Sequence, residues 1–128
     1  MMKCVILLIM VVTAGVLVGC GPEKDQLNVS NRILILDKGL KKDINVVRQV
    51  SDRIEGDLLR IRTQFRNREK DDLWIDIQVS WRDGQGFEMY KTNWEACHIP
   101  VGLVVDHDIC SMRSDVADYE FRMRSRQR

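Results

Sequence analysis

Hydrophobic positions along this chain follow two different patterns. Residues 4–18, CVILLIMVVTAGVLV, form an apolar run with no charge in it, whereas from residue 58 onward apolar and polar residues alternate. In GDLLRIRTQFRNR, Leu59, Ile61, Thr63 and Phe65 fall on one face, and Leu58, Arg60, Arg62, Gln64 and Arg66 on the other. In DLWIDIQVSWRD, Leu73, Ile75, Ile77, Val79 and Trp81 alternate with Trp74, Asp76, Gln78, Ser80 and Arg82. Sustained alternation predicts half-buried antiparallel strands. The polar NREKD between them, residues 67–71, is expected to be a hairpin loop.

Shorter segments extend the pattern. RILILD (32–37) is expected to be a strand closed by the turn DKG, and WEACHI (94–99) a strand before the turn PVG. GLVVD (102–106), DICSM (108–112) and DYEFRMR (118–124) read as three more. Short strands at even spacing predict a β-sandwich or barrel. KKDINVVRQVSDRIEG (41–56) is ambiguous. Val46, Val47, Val50 and Ile54 stand at helical spacing, yet the β-branched content and the EGD turn favour a strand. The strand is the preferred reading of residues 44–54.

The first apolar run is short for a spanning helix, which wants about 20 residues, and it follows Met1, Met2 and Lys3 as a signal-peptide core would. Leu17-Val18-Gly19-Cys20 at its end resembles the lipobox of bacterial lipoproteins. That resemblance implies cleavage before Cys20 and lipid on its thiol and new amino group, hence attachment to a membrane. Gly21 after the cysteine implies the outer membrane, facing the periplasm. The expected organisation is a signal peptide at 1–19, lipidated Cys20 with a tether to residue 29, and one domain over 30–128.

Charge excludes little but points away from nucleic acid. The net charge is +1, and loss of Lys3 would leave acids and bases balanced. Of the four cysteines, Cys4 would leave with the signal peptide and Cys20 would be blocked. Cys97 and Cys110 would then meet in an oxidising compartment and are expected to form a disulfide.

WRDGQGFEMYKTNW (81–94) is the stretch most like a ligand loop. A dinucleotide fingerprint needs a third glycine and a helix, and a P-loop needs Lys-Ser/Thr; neither is present. A calcium loop needs acidic ligands at fixed spacing, and Asp83 has none before Glu88. Asp83-Gly84-Gln85-Gly86 therefore reads as a hairpin turn whose glycines supply positive φ, with Trp81 and Phe87 as core residues at its ends.

The same residues carry a resemblance. LLRIRTQFRN, then LWIDIQVSWRDGQGFEM, then NW and IPVG, are similar to the YcfL-type lipoproteins, a domain family of unknown function. The shared positions are Asn67, Trp81, Asp83, Gly86, Trp94 and Ile99-Pro100, over most of residues 30–124. The resemblance implies an immunoglobulin-like antiparallel β-sandwich and is silent on chemistry.

Candidate chemistry is sparse. Cys97, His98, His107 and Cys110 are residue types that hold zinc, but neighbours on a strand point opposite ways, so no metal or cofactor is expected. Ser80, Ser111 and Ser114 carry no nucleophile motif, and Asp83 with Glu88 is an unmarked carboxylate pair; no enzyme activity is expected. Arg60, Arg62 and Trp74 are the expected partner-binding residues, arginines beside an outward tryptophan. The reading is a non-catalytic envelope scaffold that takes a protein partner. Two further classes stand beside it: an inhibitor or exclusion lipoprotein, and a metal-binding periplasmic protein.

Overall fold

The computed structural model describes residues 31–126. The expected signal peptide, lipidation site Cys20 and tether lie outside the described residues. Eight strands form two sheets: β1 (Ile33–Ile35), β2 (Ile44–Ile54), β3 (Leu58–Asn67), β4 (Leu73–Arg82), β5 (Glu88–Lys91), β6 (Glu95–Ile99), β7 (Val104–Cys110) and β8 (Asp118–Ser125). One short helix, α1 (Lys38–Asp43), stands where a plain DKG turn was expected. The larger sheet runs β1-β8-β4, with β5 and β6 sharing the far side of β4; the smaller runs β2-β3-β7. The fold is an all-β sandwich.

The alternating residues do what their period predicts. Leu59, Ile61 and Phe65 of β3 face Ile75, Ile77, Val79 and Trp81 of β4 and Phe121 and Met123 of β8, all buried. Each such side chain contributes about 1.5–3 kcal/mol on burial. Leu40 of α1 and Val116 of the β7–β8 connection plug the two ends of the core. One polar chain crosses between the sheets: the Tyr119 hydroxyl donates to Gln49 Oε1 at 3.0 Å, and Gln49 Nε2 donates to Thr63 Oγ1 at 3.0 Å.

The ambiguous segment is the strand β2, and its ambiguity has a cause. The β2–β3 register slips between Val46 and Arg48, so one extra residue shifts the phase of alternation. Val46 faces inward opposite Phe65, and after the slip Gln49 faces inward opposite Thr63. Of the residues at helical spacing, Val46 faces inward while Val47 and Val50 are exposed, so that spacing marks no buried face.

Three expectations about connections are corrected. NREKD is no hairpin loop, because β3 and β4 belong to different sheets and the segment crosses from one to the other. GLVVD and DICSM are not two strands but overlap the single strand β7, which pairs with β3 from Val104 to Cys110. DGQG is a turn joining β4 to β5, but only Gly86 takes a positive φ, of 87°, and Phe87 is 73% exposed rather than core.

The strand directions give the sandwich two distinct ends. At the entry end, Arg32 brings the chain in beside Phe121 and Asp118, among the turns 54–58, 82–88 and 110–118. At the far end lie α1, the crossings 67–73 and 99–104, and Arg126.

Candidate functional site

The outer face of β4 is a ladder whose character changes from one end to the other. Near the entry end it is closed by internal pairing. Ser80 Oγ donates to Glu88 Oε2 at 2.8 Å, Arg82 reaches Glu120 at 2.9 Å, and Arg122 reaches Glu120 at 2.6 Å. Midway, Gln78 Nε2 donates to the Thr92 carbonyl at 3.0 Å and its oxygen accepts from Arg122 at 3.3 Å. Apart from the buried Arg82 Nε, which has no partner among the described residues, polar groups here satisfy one another and offer little to a partner.

Toward the far end the ladder becomes aromatic and cationic. Arg124 bonds Asp76 at 3.3 Å while its guanidinium lies 4.0 Å from the Trp94 ring centroid. One rung further, Trp74 of β4 sits directly opposite His98 of β6. Their rings stack, centroids 4.4 Å apart and 14° from parallel. The Arg126 guanidinium lies 5.5 Å from the Trp74 centroid, and its backbone amide donates to the Trp74 carbonyl at 3.2 Å.

His98 is held in turn. Its Nε2 lies 2.9 Å from Asp72 Oδ2, and Asp72 Oδ1 accepts from the Val101 amide at 3.2 Å. The Val101 amide first, and His98 second, hold the Asp72 carboxyl below the usual carboxylate range. Trp74 remains 46% exposed, and Leu36, Val101, Leu103 and Val104 are exposed at the same end. An indole fixed in one pose but open to solvent is what an interface anchor needs, because little rotamer freedom is left to lose on binding.

The expected trio of Arg60, Arg62 and Trp74 is split. β3 and β4 lie in opposite sheets, so their outward faces point away from each other, and the arginines share no surface with Trp74. Arg60 is forked onto Asp52 at 2.9 and 2.5 Å, which holds the Asp52 carboxyl below its ordinary range. Arg62 meets Asp108 at 3.4 Å. Between Arg48, Arg62, Asp106 and Asp108 lies an open concavity of about 220 Å³ with both signs of charge on its rim. Paired charges of this kind present no net basic stripe.

The expected Cys97–Cys110 disulfide is corrected as well. Cys97 and Cys110 are free thiols. Cys97 packs against the core from β6, while Cys110 is exposed on β7 opposite Arg60, on the outer face of the other sheet. Burial pushes the Cys97 thiol up from its ordinary pKa. His98 faces outward and His107 inward, where it meets Phe121 edge-on and Glu95 at 3.7 Å. Among the described residues no three His, Cys, Asp or Glu side chains converge as a metal site. Ser111 Oγ serves the backbone, accepting from the Leu59 amide and donating to the Arg113 carbonyl. Asp83 accepts from the Gln85 and Phe87 amides, so its carboxylate organises the turn.

Sequence reasoning missed His98 as the support of Trp74. The signal was a cross-strand register, which becomes visible only once β6 is known to pair with β4.

Two solved structures share this architecture. Campylobacter jejuni cj0090 is similar with a TM-score of 0.62 at 18% identity, over 75% of this chain and 99% of its own. A DUF1425 family member from Shewanella sp. pv-4 is similar with a TM-score of 0.57 at 15% identity, over 66% of this chain and 80% of its own. At these identities the likeness is one of fold. No family model matches the chain, and no curated protein matches it.

Proposed function

We propose that this chain is a lipid-anchored, non-catalytic binding module on the periplasmic side of the bacterial outer membrane, and that Trp74 anchors its partner-binding surface. The anchor rests on Leu17-Val18-Gly19-Cys20, and the module on the sandwich and its likeness to a DUF1425 family member. The resemblance to YcfL-type lipoproteins agrees with both. The observation that carries the binding role is the exposed Trp74 ring, stacked on His98 with Arg126 beside it. Aromatic and arginine side chains dominate the energetics of protein interfaces. Leu36, Val101 and Leu103, exposed at the same end, supply apolar area for the rest of a contact.

Crosslinking in intact envelopes, followed by capture of the protein, tests this reading. Wild type and Arg62→Ala should retain the same crosslinked partner, and Trp74→Ala should lose it. A partner lost on Arg62→Ala and kept on Trp74→Ala would move the binding surface to the opposite sheet.

A further inference from the structure

Phe87 and Met112 are 73% and 81% exposed, the two most exposed large hydrophobic side chains among the described residues. They lie in different turns at the entry end of the sandwich, Phe87 just before β5 and Met112 two residues past β7. The β7–β8 turn meets β5, the strand that Phe87 leads into, because the Met112 amide donates to the Tyr90 hydroxyl at 2.8 Å. Each turn is held by its own bonds. The Asp83 amide donates to the Phe87 carbonyl at 3.0 Å, and the Asp83 carboxylate accepts from the Phe87 amide at 3.0 Å. Arg113, beside Met112, is paired with Asp115.

The chain enters at this same end. The Arg32 carbonyl accepts from the Phe121 amide at 2.7 Å and its guanidinium holds Asp118 at 2.7 Å, so the segment leading back to Cys20 leaves beside these turns. Ten residues, 21–30, separate Cys20 from Asn31, and such a segment spans at most about 35 Å. A ten-residue strand is itself about 33 Å long. The far end could reach the anchoring bilayer only with the tether drawn nearly straight, at a large entropic cost, whereas the entry end needs no extension.

We propose that Phe87 and Met112 enter the interfacial zone of the bilayer that carries the lipid anchor, and so fix the domain upright with Trp74 facing away from the membrane. This rests on the lipid-anchored reading of Cys20. The adjoining loops carry Glu55, Asp57, Asp83 and Asp115 against Arg113, a net negative rim that an anionic leaflet would repel, so the contact suits a zwitterionic leaflet.

The test uses the full chain, purified from envelopes and reconstituted into phosphatidylcholine vesicles with bromine on the upper acyl chain. Mass spectrometry of the mature amino-terminal peptide first reports whether Cys20 carries lipid. Tryptophan quenching is then compared with wild type for Phe87→Trp, Met112→Trp and, at the far end, Leu103→Trp. All three sites are exposed, so folding should survive, and circular dichroism checks it. On acylated protein, added quenching at 87 and 112 and none at 103 supports the proposal. Quenching at 103 instead, or at no site, overturns it and leaves the lipid anchor standing. An unacylated Cys20 overturns both.

Discussion

Trp74 and His98 face each other across the β4–β6 register, their rings stacked 4.4 Å apart, and the imidazole is pinned from behind by Asp72. The indole is thereby exposed and oriented at once. Trp74→Ala should abolish partner capture while lowering stability by only about 1 kcal/mol, since an aromatic pair contributes ~0.5–1.5 kcal/mol beyond its area. His98→Ala should weaken capture without abolishing it, because the ring is freed but still present. Crosslinking yield beside denaturant unfolding of each variant reads both effects. Equal loss of capture from Arg62→Ala would remove the Trp74 surface as the explanation.

The turn that looked most like a ligand loop makes a sharper prediction about backbone geometry. Gly86 has φ 87° and Gly84 has no positive φ, and a Cβ at either would touch nothing within 4 Å. Gly86→Ala should cost about 1 kcal/mol through left-handed strain alone. Gly84→Ala should change stability by less than about 0.5 kcal/mol. Thermal unfolding of the pair separates the two, and equal effects would mean that the turn is not held as described.

Much of this architecture was legible because period two survives in β3 and β4, where the inward faces are apolar apart from Thr63 and Asn67. What the chain did not show was which strands pair. Alternation places a residue inside or outside a sheet but does not say which sheet, so Arg60 and Trp74 read as neighbours when they lie on opposite outer faces. The Cys97–Cys110 expectation failed for the same reason, compartment chemistry saying nothing about whether two thiols point at each other. Phe87 misled differently: an aromatic beside a turn is core only if the next strand begins with it, and β5 begins at Glu88.

The thiols themselves give a direct check. Cys110 should react with a water-soluble maleimide in the native protein within minutes, and Cys97, half-buried with its pKa raised by burial, only after unfolding. Mass spectrometry without reductant should find the two unlinked. A peptide pair joined through Cys97 and Cys110 would contradict the strand placement of β6 and β7.

The Gln49 bridge should be among the more expensive polar groups to remove. Gln49→Leu leaves the Tyr119 and Thr63 hydroxyls without their partner between the sheets, a loss of about 2 kcal/mol. Tyr119→Phe removes only one bond and should cost about 1 kcal/mol. Urea unfolding resolves the difference, and a Gln49→Leu variant as stable as wild type would show that the buried bridge contributes nothing net.

His107 sets the pH dependence expected near neutrality. Its ring is buried against Phe121, and burial lowers its pKa from the ordinary imidazole value, with Glu95 pulling less strongly the other way. The folded protein therefore takes up fewer protons than the unfolded chain as pH falls through about 6.5. Stability is fully present above that pH and declines as the solution is acidified toward the lower folded value. His107→Phe keeps an aromatic ring in the space and removes the titration. Unfolding free energies at about pH 7.5 and about pH 5.5 should fall for wild type and change less for the variant. Parallel decline in both would assign the acid sensitivity to another group.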